Sequence, residues 1–221
     1  MAGVLMYGLL HVIINVLRKI GWWRWKIEGV ENMPPRQLGG MIVVINHVNW
    51  IDIPAVGALL PFAYRLSWLG KAELFDRPIS RWFYHNMQVI PINRGRRDMA
   101  ALDASVGALR SGAALLIFPE GHRSRTGVLQ VGRGGAVRLA MQSGVPVIPM
   151  SISGSEHGIK GAWLRKPLTV RIGTPYIIPP TQSGKIPADL MNQHTGELMR
   201  RIAALLPEDR RGPYAQITVR P

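Results

Sequence analysis

A chain of 221 residues can build one sizeable hydrophobic core but not two full domains. Its 27 Lys and Arg against 13 Asp and Glu leave a net charge of +14, which favours anionic partners: phosphate groups, acidic lipid surfaces or nucleic acid. The cations are spread along the chain without a zinc-finger, basic-zipper or aromatic RNA-binding pattern, so no nucleic acid partner is expected. With no cysteine, disulfides, thiol catalysis and thiolate metal sites are excluded, and a reducing compartment suits the chain.

The first 17 residues carry no charge and are mostly apolar. As a helix they would extend about 25 Å, short of the roughly 30 Å hydrocarbon core of a bilayer. His11, Asn15, Arg18 and Lys19 fall on one stripe of that helix, as an interfacial helix requires. Gly21-Trp22-Trp23-Arg24-Trp25 follows, and tryptophan beside cations suits the head-group level. No cleavage site follows the apolar run, which argues against a removed signal peptide; a buried core helix is the alternative reading. Residues 1–25 are therefore expected to form a membrane-associating helix with a Trp-rich interface segment, either spanning the bilayer or lying in its interface. One domain is expected over 26–206, and a loosely held tail with little to pack over 207–221.

Short apolar runs then alternate with helical patterns. Met41–Ile45 and Ala113–Phe118 read as fully buried strands. Val89–Ile92 and Val145–Met150 also read as strands, but Pro91, Pro146 and Pro149 suggest only partial pairing or an edge position. Ile53–Leu60, Met99–Arg110 and Gly135–Ser143 read as helices, with Gly112 and Gly144 as stops. A Gly- and Ser-rich loop over Ser151–Pro167, a strand near Leu168–Ile172 and a closing helix over Ala188–Leu206 complete an α/β pattern.

In open α/β sheets ligands collect beyond the carboxyl ends of the strands, so the residues after each apolar run are the candidates. His47 follows the first run, and an imidazole there can act as a general base. Asp52 could orient it, provided the chain turns between them, since five residues of continuous helix would place them on different faces. Asp52 could equally cap the helix that Ile53-Pro54 begins. This spacing alone arises by chance in about one chain in six of this composition. Pro119-Glu120-Gly121-His122-Arg123-Ser124 follows the third run, where Glu120 and Arg123 form either a structural ion pair or a phosphate- and hydroxyl-binding pair. Arg94, with Arg96 and Arg97, reads as a phosphate site or a solvated basic turn. No serine-hydrolase elbow, Walker loop or His-Glu-x-x-His is present, and no metal is expected.

Together, Asn46-His-Val-Asn-Trp-Ile-Asp52, Val89-Ile-Pro-Ile-Asn-Arg94, Phe118-Pro-Glu-Gly-His-Arg-Ser124 and Val145-Pro-Val-Ile-Pro149 resemble the four ordered blocks of the glycerolipid acyltransferase family, over roughly Val30 to Gly173. The resemblance implies a single αβ acyltransferase domain, with a mixed sheet flanked by helices and an N-terminal helical membrane anchor. It implies acyl transfer from acyl-coenzyme A or acyl-carrier protein to the sn-2 hydroxyl of lysophosphatidic acid, at the cytoplasmic face of a membrane rich in anionic lipid and without a cofactor. His47 resembles the general base and Asp52 its orienting carboxylate. Arg94 resembles an acceptor-phosphate ligand, Glu120 and Gly121 acceptor-binding residues, and Arg123 and Ser124 neighbours of the phosphate. Departures are His122 where the family commonly has threonine, Gln88 and Pro91 for a usual glycine and aromatic, and Val131-Gly132 for a frequent Phe-Lys pair. They bear on acceptor identity, so another lysolipid, such as lyso-ornithine lipid or a glycolipid, is an alternative acceptor. A non-catalytic module that binds anionic lipid is the alternative from a different class.

Overall fold

The computed structural model describes residues 2–93, 98–181 and 186–215. In chain order the longer elements are α1 Ala2–Lys19, β1 Trp25–Glu28, β2 Met41–Val44, α2 Asp52–Leu59, β3 Leu66–Lys71, α3 Pro78–Asn86 and β4 Val89–Ile92. They continue with α4 Met99–Arg110, β5 Ala114–Ile117, α5 Gly135–Ser143, β6 Val147–Ser153, α6 Gly158–Trp163, β7 Leu168–Ile172 and α7 Ala188–Leu205. Among the described residues the strands form one mixed sheet in the order β1-β7-β6-β2-β5-β3-β4. All neighbouring pairs are parallel except β6 and β7.

The central strands are apolar on both sides because both faces of the sheet are covered. Along β2 and into the loop beyond it, Met41, Val43 and Ile45 join a core with Ala55, Val56 and Leu59 of α2. Ile42 and Val44 point the other way, into a core with Val137 and Ala140 of α5 and Leu198 and Ile202 of α7. Turn chemistry fixes the helix ends. Asp98 caps α4 by accepting from Ala101 N at 3.0 Å, and Gly144 closes α5 at φ +70°, a left-handed conformation that glycine adopts without penalty.

The prolines separate two of the expected strands. β4, with Pro91, is an edge strand, whereas β6, with Pro149, lies inside the sheet. Val147 bonds reciprocally to Tyr176, and Pro149 O accepts from Gly173 N at 2.8 Å. The N–H that Pro149 lacks therefore falls on the β7 side, just past the end of that strand, where the ladder is already interrupted.

α1 departs from an isolated anchor. Half of its expected polar stripe faces the domain: Asn15 Nδ2 donates to Ala58 O at 2.8 Å and His11 packs edge-on against Phe62, while Lys19 is exposed; on the same side Tyr7 OH donates to Gly57 O at 3.0 Å. The opposite side, including Leu5, Leu9, Val12 and Ile20, is exposed. Of the three neighbouring tryptophans only Trp22 is exposed; Trp23 and Trp25 are buried in the core with ring centroids 4.5 Å apart. Two of the expected interface anchors are thus core residues, because the chain turns into the sheet at Trp25. The expected loose tail also differs over 207–215. Leu129 N donates to Arg210 O at 2.9 Å and Gly132 N to Tyr214 OH at 3.4 Å, which holds this stretch against the segment after the third block.

Candidate active site

Parallel strands bring the loops that follow them to one edge of the sheet. β2 and β5 are paired with Val44 opposite Ile117, so His47 and Glu120 each lie three residues beyond that rung. Asn46 extends the framework: Ile152 N donates to its Oδ1 at 2.8 Å and its Nδ2 donates to Ile152 O at 2.9 Å. The side chain supplies β6 with a rung that β2, ended at Val44, no longer offers.

Asp52 is completely buried at the first residue of α2, and its carboxylate points back into the loop. Its Oδ2 accepts from His47 Nδ1 at 2.8 Å, Val48 N at 2.7 Å and Asn49 N at 2.8 Å. A carboxylate oxygen that already receives two backbone N–H groups is placed to accept a third from Nδ1, and in the imidazole tautomer that donates there Nε2 keeps its lone pair. Among the described residues Nε2 has no protein partner.

The third block holds His47 on three sides. The Phe118 ring stacks on the imidazole with centroids 3.8 Å apart and planes 17° apart. Glu120 Oε1 accepts from His47 N at 2.7 Å, and Ser124 N donates to His47 O at 2.7 Å. Glu120 Oε2 accepts from Gln130 N at 2.9 Å, so both carboxylate oxygens bind backbone and the side chain is buried. Burial raises the Glu120 carboxyl above its ordinary value, against the pull of the His47 and Gln130 amides. Ser124 is buried too, with Oγ donating to Val128 O at 2.8 Å.

A cleft of about 1170 Å³ opens in front of the histidine. Its lining combines His47, His122, Arg123, Arg125 and Lys71 with the apolar side chains of Leu10, Leu66, Leu74, Phe83 and Met87. Such a space suits an amphiphile with an anionic head and an apolar chain. Of the expected site residues, His47, Arg123 and Ser124 line the cleft, and Asp52 stands behind His47. Glu120 does not line it and is not ion-paired with Arg123 among the described residues. Gly121, at φ +77°, makes the turn between them, where a Cβ would sit 3.1 Å from the Arg133 side chain. Arg94, Arg96 and Arg97 lie outside the described residues. Sequence reasoning missed the embrace of His47 by Phe118, Glu120 and Ser124. The available signal was the pair of fully buried runs, which as parallel neighbours bring the residues after them side by side.

The mixed αβ domain agrees with the comparisons to known proteins. The family model described as Acyltransferase matches residues 24–153, and the chain belongs to that family. Among curated relatives, the lyso-ornithine lipid O-acyltransferase of Pseudomonas aeruginosa is 36% identical over 134 residues, which are 60% of this chain and 50% of that protein. The 1-acyl-sn-glycerol-3-phosphate acyltransferase of the same organism is 28% identical over 162 residues, 72% of this chain and 61% of that protein. The chain thus spans about half to three-fifths of the length of these relatives. Among solved structures, the 1-acyl-sn-glycerophosphate acyltransferase PlsC of Thermotoga maritima shares the fold with a TM-score of 0.66 at 24% identity, covering 90% of this chain and 78% of that one.

Proposed function

We propose that this protein transfers a fatty acyl group from a thioester, acyl-coenzyme A or acyl-carrier protein, to the sn-2 hydroxyl of 1-acyl-glycerol-3-phosphate, forming phosphatidic acid. The observation that carries the reading is the 2.8 Å contact between His47 Nδ1 and buried Asp52, which leaves Nε2 free beside a cleft lined by both cationic and apolar side chains. Nε2 takes the proton of the acceptor hydroxyl as its oxygen attacks the thioester carbonyl. The tetrahedral intermediate collapses with cleavage of the C–S bond, and the departing thiolate takes the proton back from the imidazolium. A thioester is already activated, so neither a covalent enzyme intermediate nor a resident cofactor is required. General base catalysis contributes about 10²–10⁴-fold, and holding both substrates in one cleft supplies the larger share.

In this reading Arg94 and Arg123 bind the acceptor phosphate, with Gly121 and Ser124 beside it, while Glu120 holds the peptide of His47. α1 lies along the domain surface with its apolar side in the cytoplasmic leaflet, a monotopic arrangement supported by its contacts with α2 at Gly57 and Ala58. A second reading, acylation of lyso-ornithine lipid, is favoured by the 36% identity to an enzyme of that name. Incubating the purified chain with acyl-coenzyme A and a panel of lysolipids, while following free thiol, separates the two. Thiol release with lysophosphatidic acid is expected; release only with lyso-ornithine lipid would transfer the assignment to that acceptor.

A further inference from the structure

α3 is a helix without a buried residue. Its Ile79, Trp82 and Phe83, at the i, i+3, i+4 spacing of one helical face, are 84%, 54% and 41% exposed. An isolated apolar side chain on a surface needs no explanation, but a contiguous stripe with a tryptophan marks a surface that meets something. The helix is held firmly enough to present it: Tyr84 packs inward near Phe75, and Arg81 Nε donates to Phe75 O at 2.9 Å.

Its neighbour is α1. Gly3 touches the backbone of Asn86 so closely that any Cβ would collide with it, so the end of α3 sits against the start of α1. Each of these neighbouring helices carries an exposed apolar stripe. Leu10 of α1 and Phe83 of α3 are each about two-fifths exposed and both line the cleft, so the cleft reaches the surface at each of these helices. At the other end of α1, exposed Trp22 meets exposed Trp163 edge-on, and Arg165 Nη2 donates to Gly21 O. Exposed aromatic residues beside cations thus flank α1 at both ends, which suits a helix lying flat at one interface rather than crossing to another.

Charge selects the partner. Arg77 and Arg81 on α3 are exposed and pair with no Asp or Glu among the described residues, in a chain of net charge +14. We infer that α3 is a second membrane-seated element, inserting Ile79, Trp82 and Phe83 into the head-group and upper acyl region of an anionic phospholipid bilayer beside α1. This rests on the lipid-acyltransferase reading above and adds to it a lateral opening for acyl chains between the two helices.

The absence of cysteine permits a direct test on the full chain. Ile79→Cys, Leu9→Cys on α1 and Asp103→Cys on α4 are each labelled with an environment-sensitive fluorophore and mixed with vesicles of phosphatidylcholine and phosphatidylglycerol. Ile79 is 84% exposed, so its replacement leaves the fold intact. The expected result is a blue shift at positions 79 and 9, reduced when phosphatidylglycerol is omitted, and none at position 103. A shift at 9 without one at 79 overturns the inference and leaves α1 as the membrane contact; no shift at either overturns both placements. Thiol release by the same labelled proteins keeps the questions apart. Acyl transfer without a shift at 79 defeats only this inference, whereas a shift at 79 without transfer to any lysolipid defeats the acyltransferase reading.

Discussion

Glu120 shows how a motif residue can serve a site without entering it. Its two oxygens accept from His47 N and Gln130 N, so replacing it by glutamine would turn an NH2 group toward one of those amides. A buried amide left unpaired costs about 1–3 kcal/mol. In Glu120→Gln we therefore expect kcat to fall through displacement of His47, with KM for the acceptor unchanged. A raised KM at unchanged kcat would instead mean that Glu120 touches the acceptor. The pH dependence has a defined sign. Because burial raises the Glu120 carboxyl above its ordinary 4.5, the folded state holds that proton more tightly than the unfolded chain does. Its contribution is fully present below that ordinary value and is lost as pH rises through the raised one. Urea denaturation at several pH values should show this decline in the wild type and not in Glu120→Gln.

At the level of elements, the legible parts were those with a packing signature. β2 and β5 are continuous apolar runs because they are buried on both faces, and the loops after them could be named as candidates on that ground. β1 and β3 escaped because Trp25-Lys-Ile-Glu28 and Leu66-Ser-Trp-Leu-Gly-Lys71 mix polar and apolar residues, β1 at an edge of the sheet. α3 was missed although Ile79, Trp82 and Phe83 fall at helical spacing, because three apolar residues among Arg77, Ser80, Arg81 and His85 are too few to mark a core helix, and the face they form is exposed. Asp52 could be read as a cap or as the partner of His47. Only the fold shows its carboxylate turned back on Val48 and Asn49, a consequence of loop geometry that spacing cannot specify. The rung made by Asn46 was likewise hidden, since it joins residues 106 positions apart. Asn46→Ala would orphan both the N–H and the C=O of Ile152, and a loss of about 2–6 kcal/mol is expected in chemical denaturation. A loss below 1 kcal/mol would mean that this rung does not hold the end of β2 to β6.

For the whole molecule, α1 and the segment after it contribute to the core, in addition to the membrane role proposed for them. Tyr7, Ile14, Trp23 and Trp25 are all buried, and removing a buried tryptophan costs about 3–5 kcal/mol. Two of them approach the total of about 5–15 kcal/mol that stabilises a typical domain. Deleting residues 1–25 should therefore lower the thermal midpoint sharply or abolish folding, rather than release an intact soluble domain. A truncated chain that melts cooperatively at the wild-type temperature would show the segment to be a dispensable anchor. The fold, the charge of +14 and the amphiphilic cleft meet at His47, where the proposed chemistry depends on one free imidazole nitrogen. The most direct test is steady-state thiol release from acyl-coenzyme A with lysophosphatidic acid by the wild type and by His47→Ala, with vesicle binding measured alongside. A fall of about 10²–10⁴-fold in turnover with binding retained is predicted for the variant; unchanged thiol release would contradict His47 as the base.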